Sequence, residues 1–149
     1  MAAKKKNQTN TLEIYLPDVS TSLNLPLFAP PISAGFPSPA EDYTDRSIDL
    51  NKELIKNPYA TFLARVKGFS MRDAGIAPGD ILVIDKSLEP QDHKIAVCFI
   101  DGDFVLKRIK KEKDCVYLMP ENEDFKPIKI TEENDFCVWG IVTYIIKKL

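Results

Sequence analysis

From Tyr59 onward the chain breaks into seven short β-rich runs, 60–66, 81–85, 95–100, 104–110, 115–119, 125–130 and 136–146, a segmentation that leaves room for little besides sheet. Turn signals separate them: Pro78-Gly79-Asp80, Asp101-Gly102-Asp103 and the polar stretch 121–124. Seven such strands with one or two short helices predict a mostly-β domain of small twisted or partly closed sheets. Ahead of them, Pro17, Pro26, Pro30, Pro31, Pro37 and Pro39 crowd the first 40 residues. That density blocks helix and predicts an extended arm over 1–40, followed by a domain over 41–149. One short helix is predicted over 50–56, with Asp49 as N-cap and Asn57 kept out of helical conformation by Pro58.

Bulk properties narrow the chemistry. A net charge of −2 argues against a protein that grips phosphate backbones, since that affinity comes from clustered Lys and Arg releasing counterions. No direct DNA binding is expected. No apolar run approaches the ~18 residues of a membrane span. The basic start, Lys4, Lys5 and Lys6, leads into polar residues rather than a signal core, so a cytoplasmic chain without membrane contact is expected. Cys98, Cys115 and Cys137 are odd in number, widely spaced and flanked by apolar or aromatic residues, which predicts reduced thiols packed in a core. With a single histidine, His93, and no C-x-x-C, no metal site is expected. There is no nucleotide-binding glycine loop, and no cofactor is implied.

Two residues carry chemistry. Ser70 sits in Gly68-Phe69-Ser70-Met71-Arg72-Asp73-Ala74-Gly75, which leaves one strand and turns toward the next. A serine there is either presented as a nucleophile or caps a helical turn, with Asp73 completing a near capping box. Lys107 lies in a run whose alternation puts Val105, Lys107 and Ile109 on one face and Phe104, Leu106 and Arg108 on the other. Between β-branched neighbours it either extends to water along an apolar face or is buried, and burial would lower its pKa toward that of a general base.

Taken together, Gly68-Phe69-Ser70-Met71, Gly79-Asp80-Ile81-Leu82-Val83-Ile84-Asp85 and Phe104-Val105-Leu106-Lys107-Arg108 resemble the LexA/UmuD family of self-processing serine peptidases. In that family the serine of G-x-S-M is the nucleophile and a lysine 37 residues later is the base, the spacing of Ser70 and Lys107. The segment Ala34-Gly35-Phe36-Pro37-Ser38-Pro39 is similar to the family's cleavage region, in which the bond before the glycine is cut. The resemblance implies Ser70 and Lys107 as catalytic dyad, the bond between Ala34 and Gly35 as substrate, and the turn around Gly68 and Met71 as support for an oxyanion. Phe69 departs from the small polar residue usual at that position.

The resemblance also implies partners: a homodimer, a RecA–single-stranded DNA filament as stimulus, and a UmuC-like Y-family DNA polymerase in the damage response. Leu25, Leu27 and Phe28 resemble the short peptides that bind a sliding clamp, or else pack on their own domain. Only 34 residues precede Gly35, too few for the helix-turn-helix domain of a LexA-type repressor. Residues 1–34 carry Lys4, Lys5 and Lys6 against Glu13 and Asp18, so the remainder would carry −3 and stay unsuited to DNA.

Overall fold

In the computed structural model the described residues are 12–27 and 46–149. They form strands β1 (Leu12–Tyr15), β2 (Asn24–Leu27), β3 (Arg46–Asp49), β4 (Thr61–Val66), β5 (Ile81–Asp85), β6 (Ile95–Ile100), β7 (Asp103–Lys111), β8 (Val116–Met119), β9 (Ile128–Ile130) and β10 (Phe136–Ile146), with a helix α1 (Leu50–Leu54). Eight strands make one curled antiparallel sheet in the order β1-β4-β5-β10-β6-β7-β8-β9, and β2 pairs with β3 apart from it. The mostly-β expectation therefore holds. Among the described residues no helix is long and apolar enough to cross a membrane.

The turn chemistry explains the hairpins. Between β6 and β7, Asp101 (φ 48°) and Gly102 (φ 92°) both take the left-handed conformation that a two-residue hairpin needs, and Asp-Gly tolerates it best. The sheet buries both faces. One core cluster gathers Leu12, Val66, Met71, Ile76, Leu82 and Leu106, and the other gathers Ala96, Cys98, Ile109, Leu118 and Ile141. Alternation along β7 behaves as expected: Phe104 and Leu106 join the first cluster, Val105 and Ile109 the second.

Strand β10 crosses the middle of the sheet and bonds to β5 on one side and β6 on the other, with register shifts between Val138 and Gly140 and between Val142 and Tyr144. At Gly140 the strand passes so near β5 that a Cβ would meet Ile84 Cγ2 at 2.5 Å. Gly140→Ala should therefore cost about 1–3 kcal/mol through overpacking, read as a lower urea midpoint at an unchanged m-value.

Three expectations need correction. The helix stops at Leu54, because Ile55 is already extended (φ −120°, ψ 91°) and its N–H closes the last turn onto Asn51 O. Asp49 is its N-cap as expected, accepting from Asn51 N. The run 125–130 is strand only over Ile128–Ile130: Phe125 N donates to Asn122 O in a turn, and Pro127 offers no N–H to a ladder. Of the cysteines, only Cys98 is fully buried. Phe136 and Val138 pack on the second cluster, so alternation turns Cys137 to the opposite face, where it is exposed.

Candidate active site

Ser70 lies in the connector 67–80 between β4 and β5. Its base is closed by Val66, whose N–H donates to Asp80 O (2.9 Å) and whose carbonyl accepts from Gly79 N (2.8 Å). The sharp bends fall at Gly75 (φ 78°) and Gly79 (φ 92°), where a side chain would be strained, and not at half-buried Gly68. Met71 and Ile76 drive the connector into the first core cluster, 2% and 0% exposed. Serine 70 is thereby held at 8% exposure beside Phe69, which stands out to solvent.

The capping alternative is not what the structure shows. The 3-10 turn Arg72–Ala74 has Met71 at its N-cap with no side-chain cap, and Asp73 spends its carboxylate on Arg72 Nε. Among the described residues the Ser70 hydroxyl makes no hydrogen bond, and the backbone N–H groups of Ser70 and Met71 donate to no acceptor. A buried hydroxyl and two adjacent buried donors left open are what a nucleophile and an oxyanion site need, and a structural turn does not.

Lys107 is on β7 opposite Ala96, on the face shared with Val105 and Ile109, and only 7% exposed. It does not extend to water. Among the described residues its ammonium has no ion pair or hydrogen bond, and it sits over the Phe125 ring, 5.4 Å from Nζ to the centroid. Burial holds its pKa below the usual lysine value. Competing groups are poorly placed: burial, with Cys137 near, pushes the Cys98 thiol up to about 12, and His93 sits on the surface beside Asp92.

Both residues meet the 120–125 loop. Glu121 N donates to Ser70 O (2.8 Å), Asp73 N donates to Glu121 O (2.7 Å), and the buried Asn122 donates through Nδ2 to Phe69 O (2.9 Å). From the other side Arg108 on β7 binds the Glu121 carboxylate, and Phe125 lies over Lys107. The loop thus ties the Ser70 turn to the lysine strand, although no hydrogen bond joins Ser70 to Lys107 directly. Sequence reasoning read 121–124 as a polar turn and missed Asn122, whose partner is 53 residues away. A buried asparagine in that stretch leaves no local signal. Asn122→Ala should cost about 1 kcal/mol, since it leaves Phe69 O with the Arg72 N–H alone and removes the acceptor of Asp124 N, and should speed amide exchange across 68–74.

Ala34, Gly35 and Phe28 lie outside the described residues. Those on either side are clamped: β2 and β3 pair from Asn24 with Asp49 to Leu27 with Arg46, and Leu50 N donates to Leu23 O. Leu25 and Leu27 are therefore strand residues in that ladder, joining the two ends of the segment 28–45.

Residues 26–143 match the family model described as Peptidase S24-like. Protein ImpA of Salmonella typhimurium is 38% identical over 124 residues, 83% of each chain. Protein SamA of Salmonella typhimurium is 41% identical over 123 residues, 83% of this chain and 85% of that one. The LexA repressor of Acidithiobacillus ferrooxidans is 38% identical over 119 residues, 78% of this chain and 58% of its own length.

Proposed function

The chain belongs to the Peptidase S24-like family, and on that premise we propose that it is a serine endopeptidase that cuts its own bond between Ala34 and Gly35, with Ser70 as nucleophile and Lys107 as base. The observation that carries this reading is Lys107: a lysine enclosed by apolar neighbours, without a counter-ion among the described residues, and depressed in pKa. A lysine in that state is costly to keep and serves best as a proton acceptor.

Neutral Lys107 takes the Ser70 proton as Oγ attacks the Ala34 carbonyl carbon. The tetrahedral oxyanion accepts hydrogen bonds from the N–H groups of Ser70 and Met71, each worth about 3 kcal/mol of barrier. Lys107 then returns its proton to the Gly35 nitrogen as the peptide bond breaks, which leaves an ester between Ser70 and Ala34. Water, deprotonated by the same lysine, hydrolyses the ester and frees Ser70. Gly35 suits the position after the cut, because the absence of a side chain would let the backbone approach the serine closely.

The biological setting follows the resemblance to the UmuD type. A RecA–single-stranded DNA filament stimulates the cut, and the product 35–149, as a homodimer, serves as accessory subunit of a UmuC-like Y-family polymerase in translesion synthesis during the SOS response. Clamp contact through Leu25, Leu27 and Phe28 belongs to the same proposal.

Intact mass of the purified wild-type chain after incubation across a pH series tests the peptidase. The expected result is slow conversion to 1–34 and 35–149, faster as pH rises, with the rate levelling off below the ordinary lysine value because the folded pKa is lowered. An intact chain throughout the series, and with an activated RecA filament as well, would remove the peptidase reading.

A further inference from the structure

Strand β1 belongs to the part of the chain that the proposed cut would detach. Among the described residues it forms the outer edge of the sheet, paired with β4 alone. Val66 turns both of its backbone groups toward the β5 side, so antiparallel alternation leaves the N–H and C=O of Arg65 and Leu63 facing β1. Three side chains lock the strand. Leu12 is 9% exposed within the first core cluster, Glu13 pairs with Lys67, and Tyr15 helps line a cavity of about 210 Å³ with Leu63, Arg65 and Ile81. The segment reads as an apolar residue, an acid, an apolar residue and an aromatic: alternation puts Leu12 on the core face, and Glu13 and Tyr15 on the opposite face beside Lys67, Arg65 and Leu63.

We infer that the β4 edge is a docking site for an extended segment of a partner protein with that same pattern, and that residues 12–15 hold it closed until the chain is cut. The inference rests on the proposed cut between Ala34 and Gly35. Once cut, the described residues of 1–34 are held by two four-residue ladders, β1 on β4 and β2 on β3, with the Glu13–Lys67 pair and a few hydrogen bonds linking Thr21 and Leu23 to residues 49–51. Ladders so short are marginal without a covalent link. Their loss would open a hole at the Leu12 site, leave Lys67 without its carboxylate and expose a row of unpaired backbone groups, which is a template for strand addition. The charge selects the partner: with Arg65 and Lys67 along the vacated edge, an acidic residue at the Glu13 position fits and a basic one does not.

The test uses the full chain with Ser70→Ala and a recognition sequence for a site-specific protease substituted across 34–39, so that the cut does not depend on self-cleavage. A fluorescein-labelled peptide of residues 10–20 is followed by anisotropy, and release of 1–34 by gel filtration. Expected are no binding to the uncut chain and saturable binding after the cut, with displacement of the 1–34 fragment. Leu12→Ala in the peptide should weaken binding by at least about thirtyfold, the loss of a buried leucine. Glu13→Lys should weaken it about fivefold, and Lys67→Glu in the protein should recover that loss. Equal binding before and after the cut, absence of binding after it, or a charge reversal without rescue would overturn the inference. Self-association of the opened chain that the peptide blocks would assign the edge to a second copy and overturn it too. If the wild-type chain never cuts itself while the opened variant binds as described, the peptidase reading fails and the docking edge stands.

Discussion

Lys107→Met should yield a chain that never cuts itself at any pH and melts higher than the wild type. Loss of the base should lower the cleavage rate by at least about 10⁴-fold, as for other members of catalytic sets. The gain in stability has the opposite origin. Lys107 is buried among apolar groups with no counter-ion among the described residues, and methionine fills a similar volume without a charge. The melting temperature at neutral pH should rise by about 3 °C. Folded Lys107 holds its proton less tightly than the unfolded chain does, so the wild-type fold gains stability as pH climbs from the lowered value to the ordinary one. The gap between the two proteins should close over that window. Ser70→Ala serves as control, with the same loss of cleavage and little change in melting. A Lys107→Met chain that cuts at the wild-type rate would show that another group is the base.

Asp80→Ala should be the most destabilising single change outside the apolar core, by about 3 kcal/mol in urea. Burial alone would raise this carboxyl's pKa, yet the Lys147 ammonium and the Ala77 N–H, which donates at 2.9 Å, outweigh it and hold the group below the usual carboxylate range. At 4% exposure the carboxylate has almost no water to fall back on. Asp80→Asn keeps an oxygen for Ala77 and loses only the charge, so it should cost about half as much. The pH dependence follows: the stabilisation is complete above the usual carboxylate value and is lost as pH falls through the lowered one. Both variants should therefore unfold with a flatter acid limb than the wild type. Equal costs for Ala and Asn would show that the ion pair, and not the Ala77 contact, carries the effect.

How much was legible in the sequence depended on how far each signal reached along the chain. Short alternating runs and turn dipeptides act within a few residues, so β4 to β8 and the Asp101-Gly102 hairpin were readable almost residue by residue. Ser70 and Lys107 were singled out by their spacing and by resemblance, and what the fold adds is their burial, which only packing could supply. Longer-range dependences were hidden. Nothing near Asn122 tells that its amide meets Phe69, and nothing in Leu12-Glu13-Ile14-Tyr15 distinguishes an edge strand from a linker until β4 stands beside it. Cys137 was misread because its apolar flanks face one way and the thiol the other.

Strand β10 is the seam of the sheet. Ser70 hangs between β4 and β5 while Lys107 is on β7, and in the sheet the two groups of strands are joined only through β10. That strand, Phe136–Ile146, pairs with β5 through one half and with β6 through the other. A change that unseats β10 should therefore part the Ser70 connector from the Lys107 strand without touching either residue, so the two positions report on the integrity of a strand that contains neither.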